Sequence, residues 1–125
     1  MTVDPSPQPA PALGFLRLDV SVSDDERHRA AIKKLASDWG YTVLWIMIAD
    51  EFTENPVDVL INSVRLYRAE AVFVPSARHF ERATVPADLR AECNVITVAD
   101  KQTYERQFPS PSEIRSPTQR LKEMK

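Results

Sequence analysis

The nine residues YTVLWIMIA (41–49) carry no charge and no proline, and Gly40 and Asp50 bound them. A run this short falls well below the about 20 apolar residues of a membrane-spanning helix. Continuous rather than alternating apolar character suits a strand covered on both faces, as in parallel sheets flanked by helices. Segments with helical signals stand on either side. Ahead of the run, Ser23 opens a helix with Asp24, Asp25 and Glu26 in its first turn. Ser23 and Glu26 make a capping box, and the acids complement the helix dipole. His28, Ile32, Leu35 and Trp39 recur at helical spacing, and Gly40 is placed to end the helix. Behind the run, DEFTE is a loop, and Asn55 caps a second helix with Pro56 at its first position. Val57, Leu60, Ile61, Val64 and Tyr67 form that helix's inward stripe.

Three more strands complete the alternation: one at roughly 13–20, AVFVP at 71–75, and NVITVA at 94–99 behind a short helix near 86–92 opened by Pro86. Strand-helix-strand order with short links predicts a three-layer α/β fold: an about four-stranded, mainly parallel sheet with helices on both faces. Ligands of such sheets bind beyond the carboxyl ends of the strands. Here those ends are 19–23, 50–55, 75–82 and 100–102. Four prolines fall in residues 5–11 and three in 109–117. Such stretches favour extended, solvated backbone. The expected organisation is a flexible tail at 1–12, a domain at 13–104 and a flexible basic tail at 105–125.

Charge narrows the function. Residues 14–100 hold ten basic and fourteen acidic groups, whereas 101–125 hold six basic and three acidic. A folded segment with excess negative charge lacks the electrostatic footprint of a nucleic-acid binder. Two glycines, Gly14 and Gly40, leave no room for a glycine-rich phosphate loop or a dinucleotide fingerprint. The single Cys93 lies in an apolar stretch and reads as a small buried hydrophobe. His28 and His79 lack metal-ligand spacing, so no metal or cofactor is expected. Ser76, His79 and Asp19 can be assembled into a Ser-His-Asp set on paper, but chains of this size offer many such combinations. The amino terminus has no basic start followed by an apolar core, and the expectation is a soluble, cytoplasmic protein.

Asp19, Asp50 and Asp100 each follow a strand, a pattern similar to that of phospho-acceptor receiver domains. Those domains show consecutive acids after the first strand, whereas Asp24 and Asp25 begin a helix here. A second resemblance covers about residues 13–99. FLRLD (15–19) resembles the opening Tyr-x-Arg-Val-Ser strand of the serine recombinases, the resolvase and invertase family. Asn55-Pro56 stands at the family's Arg-Pro helix start. Within AVFVPSARHFER (71–82), Arg78-His79 stands at the Asp-Arg of a later motif, and Arg82 at its second arginine.

This resemblance implies a resolvase-like fold, DNA as partner, and a serine that attacks a phosphodiester among arginines which neutralise it. The pattern is damaged here. Asp19 occupies the nucleophile position, Asn55 replaces an arginine, Arg78 and His79 are substituted, and Arg17 and Arg82 alone match. A carboxylate at position 19 repels the anion that must approach it. Ser21 on an extended strand lies roughly 6.6 Å further on, out of register with those arginines. The reading is a catalytically degenerate serine-recombinase-like domain, a non-enzymatic interaction or regulatory protein with an unnamed protein partner. The alternatives are an active recombinase with a non-standard site and a receiver-like signalling domain.

Overall fold

A computed structural model describes residues 9–107. Five strands form one sheet in the order β2-β1-β3-β4-β5. They are β1 (Ala10–Arg17), β2 (Tyr41–Ala49), β3 (Ala71–Val74), β4 (Asn94–Thr97) and β5 (Gln102–Tyr104). The first four run parallel and β5 is antiparallel to β4. The helices are α1 (Leu18–Ser21), a single turn, then α2 (Asp25–Asp38), α3 (Pro56–Tyr67) and α4 (Ala87–Arg90). No helix among the described residues is long and apolar enough to cross a membrane.

Helices cover both faces of the sheet because successive strand residues point to opposite sides. Ile32, Leu35 and Ala36 of α2 pack with Ala12, Phe73 and Ile96. Leu60, Ile61 and Val64 of α3, with Leu89 of α4, pack with Leu13, Phe15, Val72 and Val95. Gly14 lies between α2 and β2, where an added Cβ would stand 2.9 Å from Cγ1 of Ile46 and 3.4 Å from Cγ2 of Ile32. Gly14→Ala is therefore expected to destabilise the domain by about 1–3 kcal/mol through overpacking, read as a lowered urea midpoint at unchanged slope.

Several sequence expectations need correction. The domain begins at residue 10 rather than 13: Ala10, Pro11 and Ala12 pair with Tyr41, Thr42 and Val43, and Ala12 is fully buried. Pro11 is tolerated because it precedes the stretch of β1, from Ala12, that is also paired with β3. The first strand ends at Arg17, so Asp19 sits on a helical turn and not on a strand. Ser23 lies in the short turn Val22–Asp24; α2 starts at Asp25 and its N-cap, Asp24, makes no side-chain cap bond. Val22, at φ 56°, turns the chain there and prevents the capping box from forming.

The apolar run at 41–49 is a strand, but among the described residues it pairs with β1 alone and forms the sheet edge, with Leu44, Trp45 and Ile48 exposed. Trp39 and Tyr67 are likewise exposed rather than packed inward. A fifth strand exists that the sequence did not announce, since QTY is short and polar. The chain also stays on the domain beyond 104. Arg106 N donates to Asn94 Oδ1 at 2.7 Å, and Gln107 N donates to the Arg90 carbonyl at 2.8 Å. The remainder of both expected tails, 1–8 and 108–125, lies outside the described residues.

Candidate functional site at the carboxyl edge

The chain leaves β1 toward β2 on one side and returns to β3 on the other, so its winding reverses between β1 and β3. Sheets of this kind open a crevice at that switch point, beyond the strand ends. A cleft of about 450 Å³ lies there, lined by Arg17 from β1, Asp50 and Glu51 after β2, Asn55 and Asp58 at the start of α3, and His79 and Glu81 after β3.

Arg17 ends β1, and its guanidinium is held by Asp19 through two bonds, Nε to Oδ1 at 3.1 Å and Nη2 to Oδ2 at 2.6 Å. Each side chain is 25% exposed. This bidentate, charge-assisted geometry is the strong form of an ion pair, and it occupies the guanidinium face that would otherwise meet an anion. The local ion pair and the family correspondence of residues 17 and 19 thus describe the same two side chains.

His79 is almost fully buried, in the turn Ala77–His79 whose N-cap, Ser76, accepts from Arg78 N at 3.3 Å. Its Nδ1 accepts from Arg17 N at 2.9 Å, which fixes the neutral ring with its proton on Nε2. Burial pushes its pKa from 6.5 down to about 4, reinforced by His28, Arg78 and Arg17 and opposed by Asp19. The ring is therefore uncharged at neutral pH. Phe80 follows and stacks on Phe15, centroids 5.5 Å apart, pinning this loop to β1.

The remaining candidates are placed as follows. Arg78 and Arg82 are exposed. Arg82 adopts φ 58° and lines a neighbouring hollow with Thr84 and Pro86, sharing only the walls Val57 and Glu81 with the Arg17 cleft. Asn55 is the α3 N-cap residue, at φ 49°, and makes no side-chain cap bond. Asp50 is spent locally, its Oδ1 accepting from Phe52 N and Thr53 Oγ1. Asp100 accepts from Thr97 Oγ1. No three His, Cys, Asp or Glu side chains among the described residues are grouped to hold a metal. Ser76, His79 and Asp19 form no triad, since His79 Nδ1 is occupied by a backbone N–H and Ser76 by Arg78.

One pair went unread in the sequence. Ser21 Oγ lies 2.7 Å from His28 Nδ1, and the His28 ring meets that of His79 edge-on at 5.8 Å. Ser21 is only 3% exposed, so no substrate reaches this hydroxyl, and the bond serves to tie α1 to α2. Its register is invisible in the sequence because the chain reverses at Val22 between the two residues. Cys93 is buried, with its pKa pushed by burial up to about 12, and is an unreactive thiol at neutral pH.

These elements define a three-layer α/β domain with a carboxylate-rich cleft at the switch point of its sheet. No family model, no curated protein and no solved structure matches the chain.

Proposed function

We propose that this is a catalytically degenerate serine-recombinase-like domain, acting as a non-enzymatic interaction or regulatory module. The observation that carries the proposal is the Arg17–Asp19 bridge. Under the resemblance, residue 17 is a phosphate-binding arginine and residue 19 the nucleophile, and here each neutralises the other. The cleft beside them adds Asp50, Glu51, Asp58 and Glu81 against Arg17 alone, with His79 neutral. A phosphodiester about 4 Å from one of these carboxylates meets about 4 kcal/mol of repulsion at an effective dielectric near 20, close to a thousandfold in affinity. DNA as a partner at this cleft is thereby disfavoured. The receiver-like alternative loses support too, because Asp50 and Asp100 are committed to separate local turns. A cytoplasmic location accords with a single, unpaired, buried cysteine.

The test sets wild type beside Asp19→Ser in a supercoiled-plasmid nicking assay at low salt. Both are expected to be inert, the variant because Asn55, Arg78 and His79 still depart from the arginine-rich pattern. Nicking by Asp19→Ser at any rate above that of a heat-denatured control contradicts the proposal, since it shows that the rest of the machinery is intact.

A further inference from the structure

Large apolar side chains that are more than a third exposed occur, among the described residues, between 18 and 67, and none falls in 68–107. Five of these ten belong to β2 or its surroundings: Leu44, Trp45 and Ile48 on the strand, Phe52 beyond its end, and Tyr67 of α3, whose ring lies 6.4 Å from that of Trp45. Among the described residues β2 pairs with β1 alone, so its other side presents backbone groups that no described strand pairs. Folded proteins blunt such edges with charges, proline, short length or a bulge. The opposite edge, β5, is three residues long and flanked by Lys101 and Glu105. β2 has nine residues, no charge and no proline. Its one irregularity is a register shift against β1 that passes over Leu44 and leaves Trp45–Ala49 in continuous register.

We propose that β2 is a self-association edge, where a second copy of this chain pairs antiparallel to it across a two-fold axis and extends the sheet. The inference is independent of the recombinase reading. Strand identity supplies the argument for a second copy. Centred on Met47, the pairing sets Trp45 opposite the second copy's Ala49, a large side chain against a small one. It sets Ile46 opposite the second copy's Ile48, a β-branched pair favoured across strands. β2 ends at Ala49 and carries no charge, so the pairing opposes no like charges. A charged partner finds nothing on this strand to select it.

Sedimentation velocity of the full chain from 1 to 200 μM is expected to show a monomer–dimer equilibrium. Hydrogen exchange at the β2 amides should slow as concentration rises, while exchange at β5 does not change. Ile48→Lys and Trp45→Lys are expected to raise the dimer dissociation constant at least 100-fold, with near-UV circular dichroism confirming that each folds. Leu66→Lys, on the exposed outer face of α3, should leave it within about threefold. A chain that stays monomeric at 200 μM overturns the proposal, whether its β2 amides exchange freely or are covered by its own residues 1–8 or 108–125. So does a dimer that survives both lysine variants.

Discussion

Phe80→Ala is expected to lower the unfolding free energy by about 3–5 kcal/mol, the range for truncating a buried phenylalanine. For a domain of about 100 residues this corresponds to a fall of roughly 15–25 °C in Tm. Phe80 is 2% exposed and stacks on Phe15, itself fully buried in β1. The ring is also the main apolar anchor of the loop between β3 and α4, which otherwise holds short 3₁₀ turns with Arg82 and Ala83 at positive φ. Non-glycine residues in that conformation cost about 1–2 kcal/mol each, so the loop depends on packing elsewhere to hold it. Removing the ring releases the turn that carries His79 and with it the His79–Arg17 bond. Phe80→Leu, which keeps most of the volume, should cost no more than about 1.5 kcal/mol. Urea unfolding of both variants checks this, and a loss below about 1 kcal/mol for the alanine variant shows that the loop is not anchored through Phe80.

Acid should destabilise the domain through His79 over a defined window. Its folded-state pKa, about 4, lies below the unfolded value of 6.5. The unfolded chain therefore takes up this proton first as pH falls. The contribution of neutral His79 is fully present above about pH 6.5 and is lost progressively down to about pH 4, where the folded form also protonates. At 1.36 kcal/mol per pH unit, the loss is about 2–3 kcal/mol. Charges facing the ring set the sign together with burial: His28, Arg78 and Arg17 oppose protonation, and Asp19 favours it. His79→Asn removes the titration while its side-chain oxygen still accepts from Arg17 N. The variant is expected to be less stable than wild type at pH 7, with the difference shrinking by about 2–3 kcal/mol at pH 4.5. Urea midpoints at pH 7, 5.5 and 4.5 measure it. A wild-type–variant difference that does not vary with pH refutes a buried, neutral His79.

The longer helices and the parallel strands were legible because their signals are local. Pro56 sets the start of α3, Gly40 at φ 85° closes α2, and the strands at 41–49 and 71–74 follow from apolar runs between turn signals. The carboxyl-edge location of the cleft follows from strand order, which the alternation of elements makes predictable. What sequence reading missed depends on non-local pairing. Edge or centre position is decided by which strands meet: the run at 41–49 packs against the cores on both faces, through Met47 and Ala49 on one and Tyr41, Val43 and Ile46 on the other, yet lies at the edge of the described sheet. Residues 10–12 looked like tail because Pro11 carries a loop signal, yet they pair with β2 on folding, and Ala12 with β3 as well. β5 exists because β4 offers it a partner, not because QTY favours a strand.

Within the site, Arg17 and Asp19 were both singled out, but on a strand expected to run to about residue 20. The actual contact spans the exit from β1 into a helical turn. Asn55 and His79 do border the cleft with Arg17, whereas Arg82 turns into the adjoining hollow. The two left-handed residues that redirect Arg82 have no sequence signature, since neither is glycine or asparagine.

Covalent trapping is the most direct test of lost chemistry. Wild-type protein is incubated with supercoiled plasmid under conditions that capture protein–DNA adducts, and the products are separated before and after protease treatment. The prediction is no adduct and no protease-sensitive shift in plasmid mobility at any protein concentration up to 100-fold excess over plasmid. A covalent adduct formed by wild type and abolished in Asp19→Ala would contradict it, because position 19 would then be a working nucleophile.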